Sequence, residues 1–222
     1  MSPWQPKRIA PYTVVLVGLL VTFVLSPALH GLGRGEWIIG LFGLGIPLLA
    51  VYAVAETRRH LGIASGLALV SAATNARWLD LPALLPAIGS TIAALLFFVY
   101  ATGMLLRGVL RSRRVTRDVL AGAMASYFML AITWAFAFLL VDQVVGGAFT
   151  VPVVGEGGDP QFDDMIYYSL ITMLSVGYGD IAPVHAWARS LAALEAFTGF
   201  AFGTIVVARL VAMYLMSRDE GS

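Results

Sequence analysis

Thr172-Met173-Leu174-Ser175-Val176-Gly177-Tyr178-Gly179-Asp180 is the segment of this chain whose residue types and spacing can do chemistry. That chemistry is coordination by oxygen rather than the making of bonds. Gly177 and Gly179 alternate with residues that carry side chains, and glycine takes up positive φ at little steric cost. Such alternation can turn successive carbonyls toward one axis. Four copies around a symmetry axis would stack those carbonyls into rings, and rings of this kind replace the hydration shell of a dehydrated K⁺ ion. On this reading the ion-binding oxygens belong to Ser175, Val176, Gly177 and Tyr178, with the Ser175 hydroxyl adding a ring at the inner end. No catalytic constellation accompanies the segment, so the chain reads as a non-enzyme.

The elements that must position this segment follow from apolar patterning. Phe162 to Leu174 is an apolar run shorter than the ~20 residues a spanning helix needs, which makes it a re-entrant candidate. Asp159, Asp163 and Asp164 stand where a helix N-terminus favours carboxylates. Its C-terminus, carrying roughly −0.5 of an elementary charge, would face the central cavity and favour a cation there. Irregular backbone at membrane depth is tolerated only where it is buried in protein or lines a watery cavity.

The rest of the chain is built for lipid. Of 222 residues, 59% are hydrophobic and 12% charged, against about 25% charged in a soluble domain. Apolar runs occupy Pro11–Leu29, Trp37–Ala55, Leu61–Ala76, Leu81–Leu106, Val119–Val141 and Ala186–Met216; the third is short for a span. Basic residues mark the cytoplasmic side. Lys7 and Arg8, then Arg58 and Arg59, then Arg107, Arg111, Arg113, Arg114 and Arg117 share one side only if all six runs cross. Both termini are therefore expected inside, and Asp142 to Val184 outside, with a Gly/Pro/Val-rich turret from Gly146 to Pro160. The Pro11 run is long for a signal peptide and no small-residue cleavage site follows it. The absence of cysteine excludes disulfides and thiolate metal sites. A net charge of +1 with basic residues confined to short linkers argues against nucleic acid. Gly31-Leu32-Gly33-Arg34-Gly35 follows no strand and reads as an outer turn, and His30, His60 and His185 are isolated at span ends.

The filter segment resembles the potassium channel signature T-x-x-T-x-G-Y-G-D, and the likeness runs from about Met165 to Val211. Pro183-Val184-His185-Ala186-Trp187-Ala188-Arg189 is similar to the stretch that opens the inner helix of some bacterial channels. The resemblance implies that Tyr167 and Tyr168 form an aromatic cuff. With Gly179, Asp180 and Thr172 they support the filter, and Gly199 stands at the inner-helix hinge. It also implies a tetramer in a bacterial plasma membrane, with K⁺ as the permeant ion and no organic cofactor. Two departures stand out. Ser175 replaces a threonine and loses the methyl that stiffens its rotamer; Leu174 replaces a second threonine. Ile171 also stands where some channels carry an acid, which leaves Asp180 without that partner and makes Tyr168 the expected substitute donor.

Along the last run, Gly199, Gly203, Val207 and Val211 recur at helical spacing and could line a cavity and gate, or serve ordinary small-residue packing. Arg209 points about 200° away from Val207, out of any ion path, and is expected to snorkel to the inner interface. Glu195 lies inside a span, where an acid is a functional hypothesis by default. It either hydrogen-bonds behind the pore helix or sits near the outer interface. The fourth run carries no Lys, Arg, Asp or Glu. Arg107, Arg111, Arg114 and Arg117 therefore read as a positive anchor with an interfacial linker helix, and voltage sensitivity is expected to be weak or absent.

The expected architecture is an all-α integral membrane subunit with six transmembrane helices, and a re-entrant pore helix and selectivity filter between helices five and six. A four-span unit occupies 1–117, the pore unit 118–216 and a short tail 217–222. The expected assembly is a homotetramer among membrane lipids, passing K⁺ passively. A nonselective cation channel of the same fold, a subunit of a potassium transporter, and a scaffold without flux are the alternatives. The gating stimulus and any regulatory partner stay open.

Overall fold

The computed structural model describes residues 11–30, 87–112, 114–151 and 161–219, with scattered positions between 45 and 69. The expected spans Trp37–Ala55 and Leu61–Ala76, and the turret at 152–160, fall largely outside the described residues. The described elements are α1 (Pro11–His30), α2 (Ala87–Arg111), α3 (Arg117–Val145), β1 (Phe149–Thr150), α4 (Phe162–Met173), β2 (Ala182–Pro183) and α5 (Ala186–Asp219).

Among the described residues three stretches are helical, long and apolar enough to cross a bilayer: Ile88–Arg111, Arg117–Val145 and Ala186–Met213. The 29 residues of α3, at about 1.5 Å each, exceed the ~30 Å hydrocarbon core. The chain is an integral membrane protein. α1 matches the first expected run, and its Pro11–Ser26 part forms a shorter apolar helix.

Local chemistry sets the helix ends. Thr116, in extended conformation, caps α3 by accepting from the Val119 N–H at 3.2 Å. Asp118 follows in the first turn and accepts from both the N–H and the hydroxyl of Thr13, at 2.9 and 3.0 Å. α3 stops at Gly146, whose φ of 74° suits glycine and whose N–H returns to the Asp142 carbonyl. The Asp142 carboxylate takes the Ala148 N–H at 2.8 Å and turns the chain into β1. β1 pairs antiparallel with β2, Phe149 opposite Pro183 and Thr150 opposite Ala182. This small ladder ties the exit of α3 to the segment after the filter, where a plain loop was expected.

Helix directions follow from cross-helix bonds. Thr13 near the start of α1 meets Asp118 at the start of α3, and Ser26 near the end of α1 donates to Asp163 at the start of α4 at 3.0 Å. α1 therefore runs parallel to α3. α2, joined to α3 by a short link and bonded to it at Thr102–Thr133 (3.2 Å), runs antiparallel. Where α1, α2 and α3 cross, Gly122 has no room for a side chain: a Cβ would lie 2.8 Å from Val109 Cγ2 and 3.0 Å from the Tyr12 ring. Val15, Leu19, Phe97, Phe98, Leu105 and Met129 fill the space these helices share.

Two expectations need correction. The fourth run becomes helix from Ala87 to Arg111, so Arg107 and Arg111 lie on its last turns rather than beyond it. Between Arg111 and Arg117 the described residues are not helical, so no linker helix is present there. Thr116 leaves helical geometry to cap α3, and this interrupts the linker helix that the arginine spacing suggested.

Candidate ion-conduction site

α4 is short because both its ends are occupied. At its start the Gln161 N–H donates to the Asp164 carboxylate at 2.9 Å, with Asp163 and Asp164 in the first turn. At its end Leu174 N–H bonds the Leu170 carbonyl, and helical geometry stops. The chain then folds back on the helix. The N–H groups of Val176 and Gly177 both reach the Ile171 carbonyl, at 2.8 and 3.3 Å. Peptide units are planar and trans, so the carbonyls of Ser175 and Val176 point the opposite way, away from α4.

The backbone alternates beyond that anchor. Ser175, Gly177 and Gly179 have φ of 58°, 55° and 81°, while Val176 and Tyr178 stay out of the positive region. Ser175 is the single non-glycine with positive φ among the described residues. A side chain in that region costs of order 1–3 kcal/mol, which persists only where surrounding structure imposes it. Residues 174–180 are all exposed within one chain; Val176 is 48% and Tyr178 73% exposed.

Asp180 is held by Tyr167, whose hydroxyl donates to its carboxylate at 2.7 Å. This corrects the expected donor, Tyr168. Tyr168 is buried against Phe138 and Phe149, ring centroids 5.1 and 5.3 Å away, and shares a side-chain hydrogen bond with Thr172. Adjacent helical residues point about 100° apart, so one tyrosine reaches Asp180 while the other enters the core. The Tyr167 hydrogen bond lowers the Asp180 pKa below the ordinary carboxylate range, and the same bond raises that of Tyr167. A depressed folded-state pKa contributes stability above the ordinary carboxylate pKa, lost as pH falls through the folded value. Tyr167→Phe should therefore move acid-induced change at the filter mouth to higher pH, read as the Asp180 titration by NMR; an unmoved titration would show that the bond is not formed in the protein.

Behind the 174–180 segment stand residues that sequence reasoning passed over. The Tyr127 hydroxyl of α3 donates to the Met173 carbonyl at 2.8 Å. Ser169 of α4 is fully buried against α3 and α5. A hydroxyl on an otherwise apolar helix face was the available signal, since buried polar groups are nearly always bonded. Glu195 is also fully buried and hydrogen-bonds Ser169, which bears out the pore-helix alternative within one chain. Gly199 lies one turn further along α5, where a Cβ would meet the Met173 carbonyl oxygen at 2.8 Å. Close approach is thus the visible demand at Gly199; at Gly203 a Cβ would meet nothing within 4 Å, and Val207 is exposed. For Arg209, expected to snorkel to the inner interface, the structure shows a specific acceptor. Its guanidinium donates to the Leu110 carbonyl at the end of α2, where a cation also suits the helix dipole.

Residues 124–216, from mid-α3 through the filter to α5, match the family model described as an ion channel. That stretch is similar to ion channel domains. Two-pore potassium channel 5 of Arabidopsis thaliana is 38% identical over 57 residues, covering 26% of this chain and 14% of the plant protein. Together these findings support the resemblance to the potassium channel pore family. Protein LctB of Bacillus caldotenax is 29% identical over 103 residues, 45% of this chain and 75% of its own. Protein LctB of Geobacillus stearothermophilus is 28% identical over 112 residues, 50% of this chain and 83% of its own. No solved structure gives a significant match.

Proposed function

We propose that the channel domain forms a K⁺-selective pore from four copies of the chain, with Ser175, Val176, Gly177 and Tyr178 of each copy supplying the oxygen rings. The observation that carries this reading is the alternation of positive φ at 175, 177 and 179, together with two successive amides committed to the Ile171 carbonyl. It supports carbonyls facing one side, the arrangement that replaces a K⁺ hydration shell. Exposure supports assembly. One chain leaves Tyr178, Phe197 and Phe200 each about 70% exposed, and four filter strands facing a common axis would close the ring. Gly179, Asp180, Tyr167 and Thr172 brace the strand in this reading, and Gly203 and Val207 lie on the gate-forming part of α5.

The antiparallel run of α2 and the parallel run of α1 beside α3 fit the six-span plan. If both cross the bilayer, His30 and Ala87 stand on the same side, and an even number of crossings joins them. Both termini are then cytoplasmic, and with no acid or base in the body of α2 before Arg107 the voltage dependence is weak. Purified protein in liposomes tests the reading. The expected result is a tetramer whose reversal potential in mixed K⁺ and Na⁺ follows the K⁺ gradient. A reversal potential indifferent to the two ions favours the nonselective alternative, and an intact tetramer without flux ends the channel reading.

A further inference from the structure

Glu195 is fully buried in α5, and its carboxyl meets two helices through one hydroxyl. Glu195 Oε1 is hydrogen-bonded to Ser169 Oγ of α4. Ser169 Oγ in turn lies 2.7 Å from the carbonyl oxygen of Ala131 in α3. Two oxygen–oxygen hydrogen bonds at one hydroxyl need two protons, because oxygens with no proton between them repel. Ser169 owns one, and a backbone carbonyl owns none. The second proton therefore sits on Glu195, which donates to Ser169, which donates to Ala131. The other carboxyl oxygen points the same way. Glu195 Oε2 is buried with no hydrogen-bond partner. A bare carbonyl oxygen of a neutral acid is far less costly there than one end of a carboxylate. Among the described residues the titratable groups facing Glu195 are tyrosines, Tyr127 from α3 and Tyr168 from α4, and neither supplies a positive charge.

We infer that Glu195 is carried as a neutral acid behind the filter, and that its proton is the clasp joining the inner helix, the pore helix and the outer helix. The clasp is placed to act on conduction. Ser169 lies two residues before Ile171, whose carbonyl anchors the amides of Val176 and Gly177. Gly199, one turn below Glu195, lies against the Met173 backbone, and Tyr127 holds the Met173 carbonyl from the other side. Glu195 is in this sense a positioning residue: it touches no ion and acts through α4. Removing the proton at alkaline pH puts a charge where no described residue pairs it and leaves one oxygen pair without a hydrogen, so α4 is released and the filter loses its backing.

The functional half of this inference rests on the proposed channel reading; the proton itself does not. Infrared spectroscopy of the full chain in lipid reads the acid directly, whether or not ions flow. The expected spectrum shows a protonated carboxylic acid band at neutral pH that is absent in Glu195→Gln and shifted in Ser169→Ala. In liposomes, K⁺ flux of the wild type falls as pH is raised through the range where that band disappears. Glu195→Gln, which keeps a neutral donor at the same place, conducts and loses this fall, whereas Glu195→Ala loses flux at every pH. A wild-type spectrum with no acid band that Glu195→Gln removes overturns the inference. So does a Glu195→Gln flux profile that falls with pH as the wild type does.

Discussion

Gly177→Ala abolishes K⁺ flux and leaves the assembled protein intact. Crowding is not the reason, since a Cβ at 177 would meet no atom within 4 Å of one chain. The reason is the backbone. Gly177 has a φ of 55°, and an L-residue there costs roughly 1–2 kcal/mol. In a ring of four the cost is roughly 4–8 kcal/mol if all copies hold the native form. The cheaper outcome is rotation of the peptide between Val176 and Gly177. That breaks the 3.3 Å bond from the Gly177 N–H to the Ile171 carbonyl and carries the Val176 carbonyl out of its ring. Because α3, α4 and α5 do not depend on this peptide for their packing, the purified variant should elute and melt as the wild type does. Flux measured in liposomes, with Ba²⁺ block as the control for leak, gives the answer. Unchanged conduction in Gly177→Ala would mean that this strand is not the ion path.

Gly199→Ala and Gly203→Ala should differ sharply although both place a methyl on the same helix four residues apart. At 199 the methyl would come within 2.8 Å of the Met173 carbonyl oxygen and 3.1 Å of its Cα. Both are backbone atoms at the end of α4, and Tyr127 holds the same carbonyl from α3. They cannot yield without moving the base of the filter. Overpacking of this kind typically costs about 1–3 kcal/mol. At 203 no atom stands within 4 Å, and replacing a helical glycine by alanine gains about 1 kcal/mol of helix propensity. Thermal unfolding in detergent should therefore show Gly199→Ala melting below the wild type and Gly203→Ala at or above it. Two variants with equal melting points would remove close packing as the requirement at 199 and return the hinge as its sole explanation.

The short helix α4 and the positive-φ backbone after it were legible because their determinants are local. Alternating glycines specify where positive φ is affordable, and the run Phe162–Leu174 exceeds the observed α4 by a single residue. Helix ends carried by a threonine cap or a charged first turn were approachable in the same way, although α2 reached Arg111 where the apolar run stopped at Leu106. Composition alone placed the chain in lipid.

The choice between Tyr167 and Tyr168 as partner of Asp180 was not local. Both are phenols, and which one reaches the filter mouth depends on the rotation of α4, set by Phe138 and Phe149 closing around Tyr168. The same holds for Arg209, whose acceptor at Leu110 lies 99 residues away, and for Ser26 with Asp163, 137 apart. An isolated sequence shows that Glu195 is an acid inside a span; that its proton is shared through Ser169 depends on three helices meeting at one point. Residue type and spacing determine what a backbone segment can do, whereas long-range packing determines which polar groups are left facing each other once water has been removed.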